Sequence, residues 1–561
     1  MKSIRYIGLM MAVGMMAATS CSDFDDYNTA PLDPSQTANK TLWENISETS
    51  ELSDFASLLK KAGFDKMLSQ PTYYTVFAPV NGSYDANALM QEDSATLRQH
   101  FAENHIVYYN HQASGSVNER LKTLNEKSYS FVGDGSYTFG NVAVSEANLP
   151  SINGTLHLLN GEVAYHPNIY EYIFQAPDRD SLANYFRHYE HSVLDASKST
   201  LGPVVNGKQT YIDSVIVVNN DLFSRNELNA HVEREDSNYT IIMPTNEAWA
   251  KLYKKISGYY KYIPTLKYQN VERAESFTNF PDGTVTANAA YFTDSLTKKA
   301  IASYLIFNNN DRYNRWVENK NELNTDTISM TARNCYITDP QQMLDQTKEK
   351  VTMSNGYARL VDSLAIHPWD WYAPELRSLA LGKDFSSNTS VVRVDNVDPT
   401  KVTLEPGQST LRYIHAEPTS LYSRPQLVMM LPNVLSTKYN IYVVLVPPNV
   451  DLENAAMEVK PNRLNFEVSF CQANGNLQRL KLNQKVVNDP SKVDTVYAGT
   501  VTFPVSYYGL GVATTVAPNL KISSEINVFN KVQMANYTRD IRIARVIMRP
   551  VEYDEYLGNK H

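Results

Sequence analysis

Apolar positions recur along the chain in two matching sets. In the first, Leu52, Phe55, Leu58, Leu59 and Ala62 share one face at helical spacing, and Gly63 supplies a stop. The run Tyr74–Asn81 (YTVFAPVN) then reads as a buried strand that stops at Pro79 and reaches an Asn suited to capping a helix. The second set keeps the order. Leu182, Tyr185, Phe186 and Tyr189 fall on a helix, and Tyr239–Asn246 (YTIIMPTN) is the strand, with Glu247-Ala248-Trp249 as the next helical turn. Leu97–Asn110 (LRQHFAENHIVYYN) parallels Leu296–Asn309 (LTKKAIASYLIFNN), each a helix running into a strand. Each set closes on Asn-Gly and an apolar strand: Asn153-Gly154 before Leu156–Leu159, and Asn355-Gly356 before Leu360, Val361 and Leu364.

Strand-Pro-Asn-helix, then a leucine-rich helix, then Asn-Gly and a short strand, resembles the fasciclin-like domain. Thr75-Val76-Phe77-Ala78-Pro79-Val80-Asn81 is close to the most diagnostic run of that family, and the second copy is more divergent. The resemblance implies two such domains, at 40–168 and 169–380. The offset between copies grows from 127 at Phe55/Leu182 to 165 at Pro79/Pro244 and 199 at His105/Tyr304. The second copy therefore carries insertions near 192–237 and 255–290, read as loops or added hairpins of the kind that often carry function.

From about residue 385 the pattern changes. Strand-like runs at Val391–Val394, Gln426–Leu431, Tyr439–Val446, Leu464–Cys471, Val496–Val505 and Asp540–Met548 are separated by turn formers, with no long helical period. This predicts an all-β, jelly-roll-like sandwich over 385–561. The fold class expected for the whole is α+β: two fasciclin-like domains, each a β-sheet wedge with packed helices, followed by that sandwich.

The N-terminus reads as an address. Lys2 and Arg5 precede an apolar run from Ile7 to Ala18, too short for the ~20 residues that span a bilayer. Ala18-Thr19-Ser20-Cys21 follows, which looks like a bacterial lipoprotein signal over 1–20 with Cys21 as the lipidated residue. The stretch 21–39, with Asp23, Asp25, Asp26, Pro31 and Pro34, reads as an acidic flexible tether. The acidic cluster resembles an export signal of Gram-negative surface lipoproteins, so the expected place is the outer membrane, lipid-anchored and facing the exterior.

Composition narrows the function classes. Acidic residues outnumber basic ones 60 to 51, for a net charge of −9, so there is no basic excess to neutralise phosphates and nucleic acid is not an expected partner. The 37 Tyr residues among 561 suit half-exposed strands and recognition surfaces. Besides Cys21 only Cys335 and Cys471 occur, in different expected domains, so no disulfide framework or zinc spacing is predicted. None of the nucleophile-elbow, zincin, C-x-x-C or P-loop motifs occurs, and no catalytic residue, metal or cofactor is assigned. His188 and His191 sit three apart on an expected helix, a spacing compatible with shared metal ligation but more often a solvated face. His105 lies where the family often carries a Tyr-His pair. Here the residues are Asn104-His105 and Ser303-Tyr304, so animal-type adhesion does not carry over, and His105 reads as a buried, hydrogen-bonded ring.

Aromatic clusters are the candidate ligand-binding residues: Trp369, Trp371 and Tyr372 in HPWDWY, and Tyr259, Tyr260, Tyr262 and Tyr268 in the second insertion. The tryptophans are expected to pack at the boundary with the sandwich. The tyrosines are expected to be exposed, because an inserted loop has no inherited core to fill. Asp followed by Ser or Thr and an apolar residue resembles a bacterial O-glycosylation motif, at Ser94, Ser181, Ser214, Ser295, Thr327, Ser363 and Thr495. Helix capping explains Ser181 and Ser295 equally well. The expected function is a non-catalytic surface protein capturing a glycan or protein ligand beside an outer-membrane nutrient importer. The alternatives are adhesion through the fasciclin-like domains, or a structural subunit of an outer-membrane complex.

Overall fold

The computed structural model describes residues 38–560 except 198, 263–288, 311–326, 339, 365, 382–384, 388–389, 399, 401, 403–409, 451–458 and 510–517, and the side chains of Trp371, Asn559 and Lys560 are likewise outside the described part. Cys21 and Tyr268 therefore lie outside the described residues. No helix among these residues is long and apolar enough to cross a membrane. The chain divides into two compact units: one runs through Asn168 and includes 233–237 and 352–355, and the other holds the rest.

A reciprocal cap starts the first unit. The Thr41 hydroxyl accepts from Glu44 N while the Glu44 carboxylate accepts from Thr41 N, which fixes the start of α1 (Leu42–Glu48). Helix α2 (Ser53–Lys61) buries Phe55, Leu58 and Leu59, the face its spacing predicts. It ends at Gly63 (φ +82), where Phe64 N reaches back to Leu59 O. These helices cover a seven-stranded sheet in the order β2-β1-β7-β6-β5-β4-β3. Its strands are β1 (Tyr74–Pro79), β2 (Ile106–Tyr108), β3 (Ser116–Lys122), β4 (Ser128–Asp134), β5 (Tyr137–Phe139), β6 (Val142–Ser151) and β7 (Gly154–Leu159). β1 and β7 are parallel and wholly buried, as their unbroken apolar runs require. The stretch expected as one helix before β2 is instead an α turn at Ser94–Leu97, a π turn at Arg98–Ala102 and a 3₁₀ turn at Glu103–His105. The changing pitch leaves Phe101 and His105 both buried, rings tilted together at 4.8 Å.

The second unit repeats this register. In β12 (Tyr239–Pro244) Tyr239 pairs with Asn308 of β13 (Ile306–Asn308) and lies parallel to Gly356 of β17 (Gly356–Val361), as Tyr74 pairs with Tyr108 and Gly154. β14 (Thr327–Ser329) pairs separately with β15 (Tyr336–Thr338), and β16 (Thr347–Met353) completes a four-stranded sheet ordered β13-β12-β17-β16. Among the helices that accompany it are α3 (Asp180–His188), α4 (Asn246–Ile256) and α5 (Ala289–Ala302). The insertion near 192–237 contains a two-tier hairpin, in which β8 (Glu190–Leu194) pairs with β11 (Ile216–Asn220) and β9 (Thr200–Val205) with β10 (Lys208–Asp213).

The Asn of the strand-Pro-Asn run does cap a helix, but the one before it. Asn81 Oδ1 accepts from Asp54 N in the first turn of α2, and Asn81 N donates to Glu51 O. In the second unit Asn246 Oδ1 accepts from Ser181 N of α3, and Asn246 N donates to Asp178 O. The following helix α4 is capped by Thr245, whose hydroxyl accepts from Ala248 N. Placing the Asn after the strand pins the earlier helix onto the sheet, a tertiary contact that a local reading assigns to the next helix.

Beyond the second repeat, two six-stranded sheets bury one shared core that includes Leu427, Met429, Tyr439, Phe466, Phe470, Phe503 and Ile522. One sheet holds β18 (Leu376–Leu379), β20 (Ser390–Asn396), β21 (Arg412–Pro418), β23 (Lys438–Leu445), β27 (Asp494–Thr502) and β29 (Ile541–Pro550). The other holds β19 (Phe385–Ser386), β22 (Gln426–Met430), β24 (Arg463–Cys471), β25 (Leu477–Lys481), β26 (Val486–Val487) and β28 (Asn519–Ser524). Cys471 is buried in this core. The alternating burial of β22, β24 and β28 is the period-2 pattern of strands with one covered face.

Candidate functional site

The segment after α4 does not stand free, and this corrects the expected exposure of the tyrosines. Tyr260 and Tyr262 retain only 5% and 6% of their accessible surface, and Tyr259 is half-buried. The cause is backbone docking onto the segments just before β23 and after β27. Ser436 N donates to Tyr259 O (2.8 Å), the Ser436 hydroxyl to Gly258 O (2.7 Å), and Ser506 N to Lys261 O (2.8 Å). Tyr262 OH donates to Tyr508 O at 2.7 Å, and the Tyr260 ring meets Tyr508 edge-on at 5.6 Å. Once the strand-like segment is tied down, its rings have nowhere to go but the seam. Tyr372 is buried in the same seam, 4.6 Å from the Tyr259 ring and with Lys255 Nζ 5.7 Å above its own.

Trp369 sits differently. It lies on a short helix, Pro368–Trp371, and is half-buried, stacked on His367 at 4.5 Å and 10°. Its other neighbours are Tyr553 and Tyr556, at 5.3 and 4.7 Å, on the C-terminal helix Val551–Lys560. Trp369 thus packs against His367 and the C-terminal helix while staying half-buried.

Trp369 borders a cleft of about 800 Å³ at this seam, with Tyr260 and Tyr508 also in its lining. Its opposite walls come from Lys299, Ser303 and Tyr304 around the end of α5, and from the Arg333–Tyr336 turn. Asp370 anchors this wall, accepting from Thr338 N at 3.0 Å and from the Thr338 hydroxyl. Tyr336 is more than half exposed, so the cleft presents an accessible ring as well as the Arg333 cation, while Lys299 Nζ is ion-paired with Glu227 at 2.7 Å. Burial raises the Tyr304 hydroxyl well above its usual range and raises the Cys335 thiol too, so both stay protonated. A neutral thiol is a poor nucleophile, and the Cys335 Sγ donates to Arg333 O at 3.5 Å. The arrangement suits binding through ring faces and donors. Sequence reasoning missed Tyr336, Arg333 and Tyr508. Tyr304 stands out in the sequence only as part of the Ser303-Tyr304 pair that replaces a family dipeptide.

The other candidates are dispersed. α3 ends at His188, and His191 lies on β8, where its ring is 3.6 Å from Asp221, so the two no longer share a helical face. His188 lines a smaller groove of about 420 Å³ with Trp249, Asp294 and Lys298. Among the described residues no group of three or more His, Cys, Asp or Glu is placed to hold a metal. His105 is fully buried, its Nδ1 bonded to Phe101 O at 2.8 Å and its Nε2 accepting from Val163 N at 3.0 Å. Of the motif hydroxyls, Ser94, Ser214, Thr327, Ser363 and Thr495 are exposed, whereas Ser181 and Ser295 are half-buried. Ser295 lies in the middle of α5 rather than at its start, so capping does not account for it. At Ser181 the cap is the Asn246 side chain, so its own Asp180 does not serve that role.

Residues 50–161 match the Fasciclin domain model, so the chain carries a fasciclin domain there. No curated protein matches the chain. Among solved structures, the FAS1 domain pair of the insect cell adhesion molecule Fasciclin I is 14% identical, covering 58% of this chain and 99% of that one, at a TM-score of 0.20. The CBM22-1 xylan-binding domain of Paenibacillus barcinonensis Xyn10C is 13% identical over 32% of this chain and 92% of its own, at a TM-score of 0.19. Scores this low decide neither fold nor ligand.

Proposed function

We propose, from the premise of a fasciclin domain at 50–161, that this is a non-catalytic binding protein that captures a glycan chain in the aromatic cleft of its second unit. A fasciclin domain implies a binding or adhesion role in general. The observation that carries the finer reading is the exposed Tyr336 ring, with the half-buried Trp369, bordering a cleft that also holds Arg333. Ring faces stack on the C–H faces of sugars, and cations and amides beside them supply hydrogen bonds to hydroxyl or acidic groups. On this reading residues 169–380 form a second, diverged fasciclin-like domain and 385–561 a β-sandwich. Cys21 carries the lipid anchor that holds the protein at the outer membrane, facing outward beside a nutrient importer. Mass spectrometry of the membrane-bound protein should find an acylated N-terminal Cys21, and an unmodified peptide there would end the anchoring idea.

Glycan capture is tested by polysaccharide affinity gels. Retardation should fall at least tenfold in Trp369→Ala and Tyr336→Ala, with Ser214→Ala as an exposed control that leaves it unchanged. Absence of retardation by every polysaccharide in a broad panel would sink the reading. The fasciclin domain itself favours a second reading, adhesion to cells or matrix, for which deletion of residues 40–380 should lower cell attachment.

A further inference from the structure

We propose that the loop 419–424, the loop 525–530 and the first turn of the short helix Lys531–Asn536, at one end of the two C-terminal sheets, form a tip that inserts into the headgroup region of an anionic lipid surface. β22 pairs with β28 in the register Gln426↔Ser523, which brings the loop before β22 beside the loop after β28. These segments carry Leu421, Tyr422, Phe529 and Val532 at 75%, 69%, 78% and 68% exposure. The Tyr422 and Phe529 rings stack at 5.8 Å and 30°, so the two loops present their apolar side chains together. Large side chains this exposed gain nothing in the isolated molecule, and a contiguous group of them marks an interaction surface.

Both loops are pinned. The Arg539 guanidinium Nη1 donates to Ser420 O (3.1 Å), Leu421 O (2.9 Å) and Ser423 O (2.9 Å). Ser420 Oγ accepts from Tyr422 N and Ser423 N, closing the turn on itself. In the second loop Asn527 Oδ1 accepts from Phe529 N, and Asn530 Oδ1 caps the short helix by accepting from Val532 N and Gln533 N. Gln533 Oε1 in turn accepts from Asn527 N. The apolar side chains are held out by this scaffold, which lowers the ordering cost of insertion.

Charge selects the occupant. Arg424 and Lys531 are exposed on the same segments, while Glu525 is ion-paired with Arg463 at 3.1 Å. The tip is therefore locally basic in a chain whose net charge is −9. Leu, Phe and Val flanked by Tyr, Arg and Lys is the composition of an interfacial insertion, with the apolar atoms in the acyl boundary and the cations at the phosphates. The carboxamide oxygens of Asn527, Asn530 and Gln533 accept from backbone amides and so serve the scaffold that holds the apolar side chains.

The test uses residues 22–561, which lack both the leader and the acylated cysteine, in flotation with phosphatidylcholine vesicles with and without phosphatidylglycerol. The chain should float with the anionic vesicles, and Leu421→Ser with Phe529→Ser should reduce the bound fraction at least tenfold. Arg424→Glu with Lys531→Glu should abolish the preference for phosphatidylglycerol. Unchanged urea unfolding of these surface variants confirms that they fold. Failure of the parent chain to float with either vesicle overturns the proposal, as does flotation of the Leu421/Phe529 variant at the parent level. Polysaccharide retardation, or capture of a membrane protein, that is lost in that variant while no vesicle binds would also overturn it, reassigning the tip to a sugar or protein partner. Because the tip lies apart from the Trp369 cleft residues, retardation lost in Trp369→Ala with flotation intact separates the two readings.

Discussion

Gly154→Ala should cost the first unit about 3 kcal/mol or more, and Gly63→Ala only about 1 kcal/mol, although both glycines have positive φ. Gly154 stands at φ +148, a conformation closed to L side chains, at the first residue of the parallel β1–β7 pair. A Cβ there would lie 1.9 Å from Tyr74 O and 2.9 Å from Leu42 Cδ1, so the central strand, the helix over it, or both must move. Gly63 (φ +82) closes α2 with nothing within 4 Å of a Cβ, so it loses only the backbone preference. Asn153 compounds the effect, because its carboxamide accepts from Leu42 N and donates to Leu68 O and Gln70 O. Displacing Gly154 pulls on all three. Hydrogen exchange of peptides spanning 74–79 and 154–159, with urea midpoints, measures the loss. Equal shifts for the two variants would show that the close approach of strand to strand is not what demands glycine. Gly356 makes the same contact in the second unit, 1.8 Å from Tyr239 O, so its Ala variant should behave like Gly154→Ala.

That equivalence shows what the chain declares openly. YTVFAPVN with Asn153-Gly154 and YTIIMPTN with Asn355-Gly356 are local signatures of one register, and both appear as parallel central pairs. Strand runs in the C-terminal third were legible for the same reason, since covered strands announce themselves by unbroken or alternating apolar residues. What escaped was tertiary. Asn81 and Asn246 cap helices that begin more than twenty residues earlier, which their neighbours in sequence give no means of knowing. The tyrosines after α4 were expected at the surface because an insertion starts without a core. Ser436 and Ser506, some 175 to 245 residues later, supply the backbone partners that bury them. The cleft gathers Tyr260, Lys299, Tyr336, Trp369 and Tyr508 from separate stretches, so only Tyr260 and Trp369, already in visible clusters, could be named from sequence. Tyr422 and Phe529 were each unremarkable alone and acquire meaning only from the β22–β28 pairing.

Acidification from pH 7 to 4 should destabilise the first unit by several kcal/mol, through two histidines that fold only as neutral rings. His105 is enclosed by Phe55 and Phe101, and His157 is stacked on Phe77 at 5.0 Å. Burial pushes both down to about 4 from 6.5. Geometry gives the same sign independently. Each ring has one nitrogen accepting from a backbone N–H, Nε2 of His105 from Val163 and Nδ1 of His157 from Asn148, so a second proton would set two donors face to face. The opposite nitrogens donate to Phe101 O and His111 O, which fixes opposite tautomers in the two rings. The unfolded chain binds these protons below about pH 6.5 and the folded chain only near pH 4. The stability is therefore whole above 6.5 and drains as the pH falls through that window, by up to ~3 kcal/mol per ring. Glu162 opposes this in part, since burial and the nearby Glu92 and Asp85 raise its pKa and the folded chain takes up its proton first. Urea unfolding at half-unit steps from pH 7 to 4 should show stability falling by roughly 1–3 kcal/mol per unit. His105→Gln with His157→Gln should be less stable at pH 7 but nearly flat across the window. A parent chain whose unfolding midpoint does not change with pH would refute the burial of these rings as neutral species.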